Sequence, residues 1–182
     1  SPRRTIEKMA KKKSITKYAG FAAILLALAS IGFMFAPAIV YGSGDDPTTY
    51  TLFQAMFGYN ETITIVGNIT ANVKYFDFSF MNLLTLILLA AGIIFSVLKI
   101  LSGKNAKLFT LITTACFIVA GVFLFMVVTY AIASTNDVTI GGINLAKYSL
   151  SKDNMTLGWG AIVSAICALI AGACKLGEFL LG

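Results

Sequence analysis

Over 182 residues the chain is 58% hydrophobic and only 12% charged, with a mean hydropathy of +0.85. A soluble domain covers its surface with about 25% charged residues, so this composition excludes a water-solvated globule and calls for lipid around much of the chain. The net charge of +6 raises nucleic acid as a partner, but the basic residues gather at the borders of apolar runs, which a membrane explains and nucleic acid does not.

In chain order, the first element is a basic segment, 1–17, carrying Arg3, Arg4, Lys8, Lys11, Lys12, Lys13 and Lys17. Ile6, Met9 and Ala10 fall on one face if it is helical, which suits contact with anionic lipid or docking of a partner. An uncharged apolar run then covers 18–41. A helix needs about 20 apolar residues to cross roughly 30 Å of hydrocarbon, and this run is too long for the core of a cleaved signal peptide. It reads as the first membrane span, with Pro37 expected to bend or end the helix near its outer limit.

The loop 42–80 is too long to be a plain connector. Thr48 is placed to cap a short helix in which Leu52, Phe53, Met56 and Phe57 share a face and which Gly58 stops. Residues 61–75 then alternate as strand. A two-residue Gly67-Asn68 turn would mix apolar and polar side chains on each face. A three-residue loop, Val66-Gly67-Asn68, sets Ile65 opposite Ile69 and Ile63 opposite Ala71, and places Ile63, Ile65, Ile69, Ala71, Val73 and Tyr75 together. Phe76, Phe78 and Phe80 follow, as in an interfacial aromatic belt.

The second span is expected over 81–101, a turn over 102–107, and the third span over 108–133. Lys99 lies near enough to its helix end to reach headgroups, and the same holds for Lys175 in the fourth span. A second loop, 134–156, carries a hairpin turning at Gly141-Gly142, with Ile140 facing Ile143 and Val138 facing Leu145. A lone hairpin is marginal in water, so the two hairpins are expected to pair into one small extracellular sheet. The fourth span and a short end occupy 157–182.

Small residues mark where these spans pack, because helices in lipid associate through close backbone approach. The fourth has Gly160, Ser164, Ala168 and Gly172 at every fourth position; the first has Ala19, Ala23 and Ala27; the second has Gly92 and Ser96. Eleven of the fourteen basic residues fall on the side of the two ends and the 102–107 turn, and six of the eight acidic residues on the other. The positive-inside bias then sets both termini in the cytoplasm of a multi-pass cell-membrane protein. The fold class is an all-α membrane protein, a four-helix transmembrane bundle with a small extracellular β-hairpin cap. Four spans, internal termini and a sheet from two outer loops are similar in layout to claudin-type tetraspan proteins. The first outer loop has neither the tryptophan nor the paired cysteines of that family, so no residue role follows from the likeness.

Histidine is absent, and with it the commonest acid–base group and metal ligand. No glycine-rich phosphate loop or nucleophile motif occurs. Cys116, Cys167 and Cys174 all lie in apolar runs, where they suit packing rather than an outer disulfide. Catalysis, a cofactor and a metal are therefore not expected. The expected function is an accessory, scaffolding or partner-binding subunit acting through helix faces and the extracellular cap. Its expected partners are membrane lipids and another membrane protein or a second copy. The alternative is a subunit of an oligomeric channel or transporter for small solutes.

Overall fold

A computed structural model describes residues 1–140 and 143–182; the Gly141-Gly142 turn lies outside the described residues. So do the side chains of Ile65, Ile69, Val138, Ile140, Ile143 and Leu145. The protein is mostly helical, with four helices long and apolar enough to cross a membrane: α1 (Pro2–Phe33), α3 (Phe80–Ser102), α4 (Ala106–Phe125) and α6 (Trp159–Leu181). Short helices α2 (Leu52–Phe57) and α5 (Val127–Tyr130), one turn of 3-10 helix at Lys152–Asn154 and eight short strands complete the regular structure among the described residues. The chain forms two compact units. One comprises Ser1–Phe33, Leu84–Leu124 and Val163–Gly182; the other comprises Met34–Leu83 and Phe125–Ile162.

The first unit is helical throughout. The basic segment is continuous helix with the apolar run behind it, so α1 has 32 residues, about 48 Å at 1.5 Å per residue. It ends at Phe33 rather than reaching 41. Pro37 has no N–H to bond the Phe33 carbonyl and its ring would strike that oxygen, so the helix stops one hydrogen bond short of the proline. Helix α3 stops at Gly103, whose φ of 64° is a left-handed stop that lets its N–H bond the Lys99 carbonyl at 3.1 Å. Helix α4 ends at Phe125, short of 133. Packing is close. Gly92 of α3 lies under the Phe117 ring, and a Cβ on Gly121 would come within 2.6 Å of Leu169 Cγ.

The second unit holds three small sheets. In the first, β1 (Pro37–Tyr41) is the central strand between β2 (Thr48–Thr51) and β8 (Met155–Leu157), antiparallel to both. Helix α2 is capped by Thr51 and not by Thr48, which is paired with Tyr41. Thr51 and Gln54 form a reciprocal capping box that satisfies two donors at once, an option Thr48 lacks. Gly58 follows at φ 91°.

The second sheet joins β3 (Tyr59–Val66), β4 (Ile69–Asp77) and β5 (Ile132–Ala133). Ile63 pairs with Ala71, the register that hydrophobic alternation demands, yet the turn has two residues, because Val66 pairs with Ile69. An irregularity between Thr64 and Val66 absorbs the difference, so patterning and turn preference are both met. A similar irregularity in the third sheet, β6 (Asn136–Ile140) with β7 (Ile143–Tyr148), pairs Val138 with Ala146 instead of Leu145 while Ile140 still faces Ile143.

The two hairpins do not merge into one sheet. Strand β4 takes β5 as its second neighbour, and the Asn136 side-chain amide bonds both the Lys74 N–H, at 3.1 Å, and the Lys74 carbonyl. A side-chain amide has the donor and acceptor of a peptide group, so Asn136 ends the ladder without leaving that stretch of β4 unpaired.

Candidate functional site

Two places gather polar or charged side chains. In the second unit, strands β2, β3, β4 and β7 each deliver a tyrosine to one cleft of about 280 Å³. Tyr50 is its buried floor at 5% exposure, with Phe76 edge-on behind it at 4.9 Å between ring centres. Tyr59 and Tyr75 stack on each other at 5.8 Å and lie 6.0 and 5.9 Å from Tyr50. Tyr148, Tyr41 and Glu61 complete the aromatic and acidic lining, and no lysine or arginine contributes among the described residues. Aromatic faces are electron-rich and attract cations, the more so beside a carboxylate. The cleft is therefore suited to a positively charged group.

Burial holds the Tyr50 phenol neutral up to about pH 12, with Tyr75, Tyr148, Tyr59 and Glu61 adding to the shift, and burial followed by Glu61 raises Tyr75. An unfolded tyrosine ionises at 10.0. The stability that this burial confers is complete below that pH and is lost as the pH climbs towards about 12, because the opened form then releases a proton that the folded form retains. Following tyrosinate absorbance during an alkaline titration should show a late, cooperative class of phenols that loses one member in Tyr50→Phe. If all phenols ionise together near the ordinary value, the cleft is not closed.

In the first unit, α3 and α6 bring three charges together. The Lys99 ammonium donates to Glu178 Oε1, and Lys175 Nζ donates to Glu178 Oε2 at 3.0 Å. Lys175 is 1% exposed and Glu178 5%. Neither lysine therefore reaches past its helix end to the surroundings, as the residue order suggested. A carboxylate on a neighbouring turn offers a closer partner than solvent, and once buried each ammonium needs one. Gly20 of α1 makes the space, since a Cβ there would lie 3.1 Å from Glu178 Oε2. Beside the cluster, α1, α3 and α6 line a cavity of about 910 Å³.

The small residues named from sequence are occupied in packing. Ser164 exchanges hydrogen bonds with Ser30, each hydroxyl close to the other's carbonyl, at 2.7 and 2.8 Å. A Cβ on Gly172 would meet Ile118 at 2.6 Å and one on Gly160 would meet Ala36 at 2.7 Å. Ala23, Ala27 and Ala168 are fully buried, Ala19 is half-buried, and Ser96 bonds the Gly92 carbonyl at 2.7 Å. In the hairpin, Ala71, Val73 and Tyr75 are half-buried while Asn72 and Lys74 are exposed, and Ile63 is exposed at the far end.

Sequence reasoning assigned Tyr75 to an apolar face of the hairpin and missed the cleft. A signal existed: six of the seven tyrosines lie outside the four long helices, and five of those six, at 41, 50, 59, 75 and 148, line the cleft. It also missed Glu178 as the partner of both lysines; Lys175 and Glu178 at a spacing of three on one helix was the available clue. No protein-family model matches the chain, and no curated protein or solved structure is similar to it.

Proposed function

We propose that this is a multi-pass protein of the cell membrane, crossing the bilayer on α1, α3, α4 and α6 with both ends cytoplasmic, and that it acts as an accessory subunit binding another membrane protein. The charge distribution supports the orientation: the basic half of α1, Lys104 and Lys107 lie at one set of helix ends, and Lys74, Lys147 and Lys152 belong to segments at the other. The observation that carries the function is the tyrosine cleft, which on this orientation faces outward. Tyrosine is enriched where proteins recognise one another, offering large contact area at low entropic cost. With Glu61 in the lining and no cation among the described residues there, the cleft fits a lysine or arginine side chain of the partner.

A channel or transporter subunit has less support. The hydroxyls of Ser96, Thr110, Thr113 and Thr114 each donate to a backbone carbonyl of their own helix, and Ser30 is matched to Ser164. They are satisfied without water. The small-residue faces are likewise filled from within the chain, which moves the expected contact from helix ridges to the cleft.

Extraction of the full-length protein in mild detergent should bring down a larger membrane protein in fixed ratio. Tyr59→Ala combined with Tyr148→Ala should lose it while the thermal unfolding midpoint of the helices is kept. Retention of the partner by that double variant, or solute flux through liposomes holding the purified chain alone, overturns the reading.

A further inference from the structure

The cavity beside the ion cluster takes no part in recognition at the tyrosine cleft, and its chemistry is different. Its walls are of two kinds. Ile6, Met9, Phe21, Ile100 and Leu181 present apolar surface. Lys12, Lys13 and Lys17, on the amino-terminal half of α1, line the cavity as exposed cations, and Lys99 and Lys175 are its more deeply set ones. Against these five lysines stands one acidic side chain among the described residues, Glu178, and both of its oxygens are already engaged by Lys99 and Lys175. The lining side chains therefore carry a surplus of four positive charges. Each of these two ammoniums has three N–H groups and commits one of them to Glu178, so both retain donors for an anion.

Size and shape narrow the occupant. About 910 Å³ is at the upper end for a small-molecule site and far exceeds what a free inorganic anion fills. An occupant must place an anionic head among lysines and an apolar tail along Ile6, Met9 and Phe21. The exposure of Ile6 and Met9, 66% and 67%, leaves that wall open for such a tail. Basic pockets between membrane helices on the cytoplasmic side have the chemistry of anionic lipid headgroups. We propose that this cavity is a binding site for one anionic phospholipid, its phosphate held by the α1 lysines together with Lys99 and Lys175 and an acyl chain laid along α1.

The test uses the full-length protein, stripped of lipid in detergent and presented with dioleoylphosphatidylglycerol or dioleoylphosphatidylcholine, with bound lipid counted by native mass spectrometry. One phosphatidylglycerol should be retained per chain, with at least about tenfold preference over phosphatidylcholine. The variant K12Q/K13Q/K17Q, whose side chains all line the cavity, should lose about tenfold or more of that preference. Ala10→Trp, which sets a bulky indole into the cavity lining without removing a charge, should lower retention at least about tenfold; an unchanged thermal unfolding midpoint in both variants separates lost binding from lost fold. Equal retention of the two lipids, full preference in the triple variant, or displacement of the lipid by glycerol phosphate at equal concentration each overturns the proposal.

Discussion

Glu178→Gln is expected to destabilise the protein by about 3–5 kcal/mol, the usual cost of removing one partner from a buried ion cluster. The carboxylate is 5% exposed and its two oxygens accept from two ammoniums, one of them on a lysine only 1% exposed. A glutamine keeps the shape and one acceptor but leaves both positive charges uncompensated and close together. Lys175→Met should cost less, because Glu178 keeps Lys99. Replacing all three by apolar residues of similar volume should recover most of the loss, since well-packed hydrophobes often match a buried ion pair. Cys116, Cys167 and Cys174 are half-buried in the helices, so thermal unfolding in detergent can be followed by their reaction with a thiol-activated dye. Equal midpoints for Glu178→Gln and the parent would mean that the cluster is solvated rather than buried.

Gly92→Val should cost about 3 kcal/mol, from crowding rather than lost charge. A Cβ at Gly92 falls within the space of the Phe117 ring, which has no exposure and so nowhere to turn. Replacing a helical glycine normally favours the helix, by up to about 1 kcal/mol, but the steric overlap outweighs that gain. Phe117→Ala alone should cost about 3–5 kcal/mol through the cavity it opens. The double variant should cost clearly less than the sum, because the valine moves into the space the ring leaves. Additive effects would show that the two residues do not share a site, since coupling is the mark of residues in contact. The same dye assay reads all three variants.

Much of the helical scaffold is legible in the order of residues. The four apolar stretches, the proline that ends α1, the alternation that pairs Ile63 with Ala71 and the small residues along α6 are all one-dimensional patterns. Each reflects a local rule: the length of an apolar helix, a missing N–H, a period of two, a spacing of four. Helix ends are less legible. Residues 34–41 and 126–133 are as apolar as the helices before them, and hydropathy alone cannot tell helix from buried strand. Strands β1 and β5 became strands because antiparallel neighbours, β2 with β8 and β4, were there to pair with them.

Neither candidate site was legible, for a related reason. Tyr50, Tyr59, Tyr75 and Tyr148 span nearly a hundred positions of the chain and meet only where their strands bring them together. Lys99 and Glu178 are 79 positions apart, and Lys99 reaches the carboxylate because Gly20 leaves room for it. The sequence by itself determined which segments are apolar, where the two hairpins lie, and where positive charge accumulates, because composition and short spacing govern those properties directly. The tertiary structure alone decided which charges are buried together and which aromatic rings converge. Partnership between distant residues depends on how helices and strands pack, and no local rule encodes it.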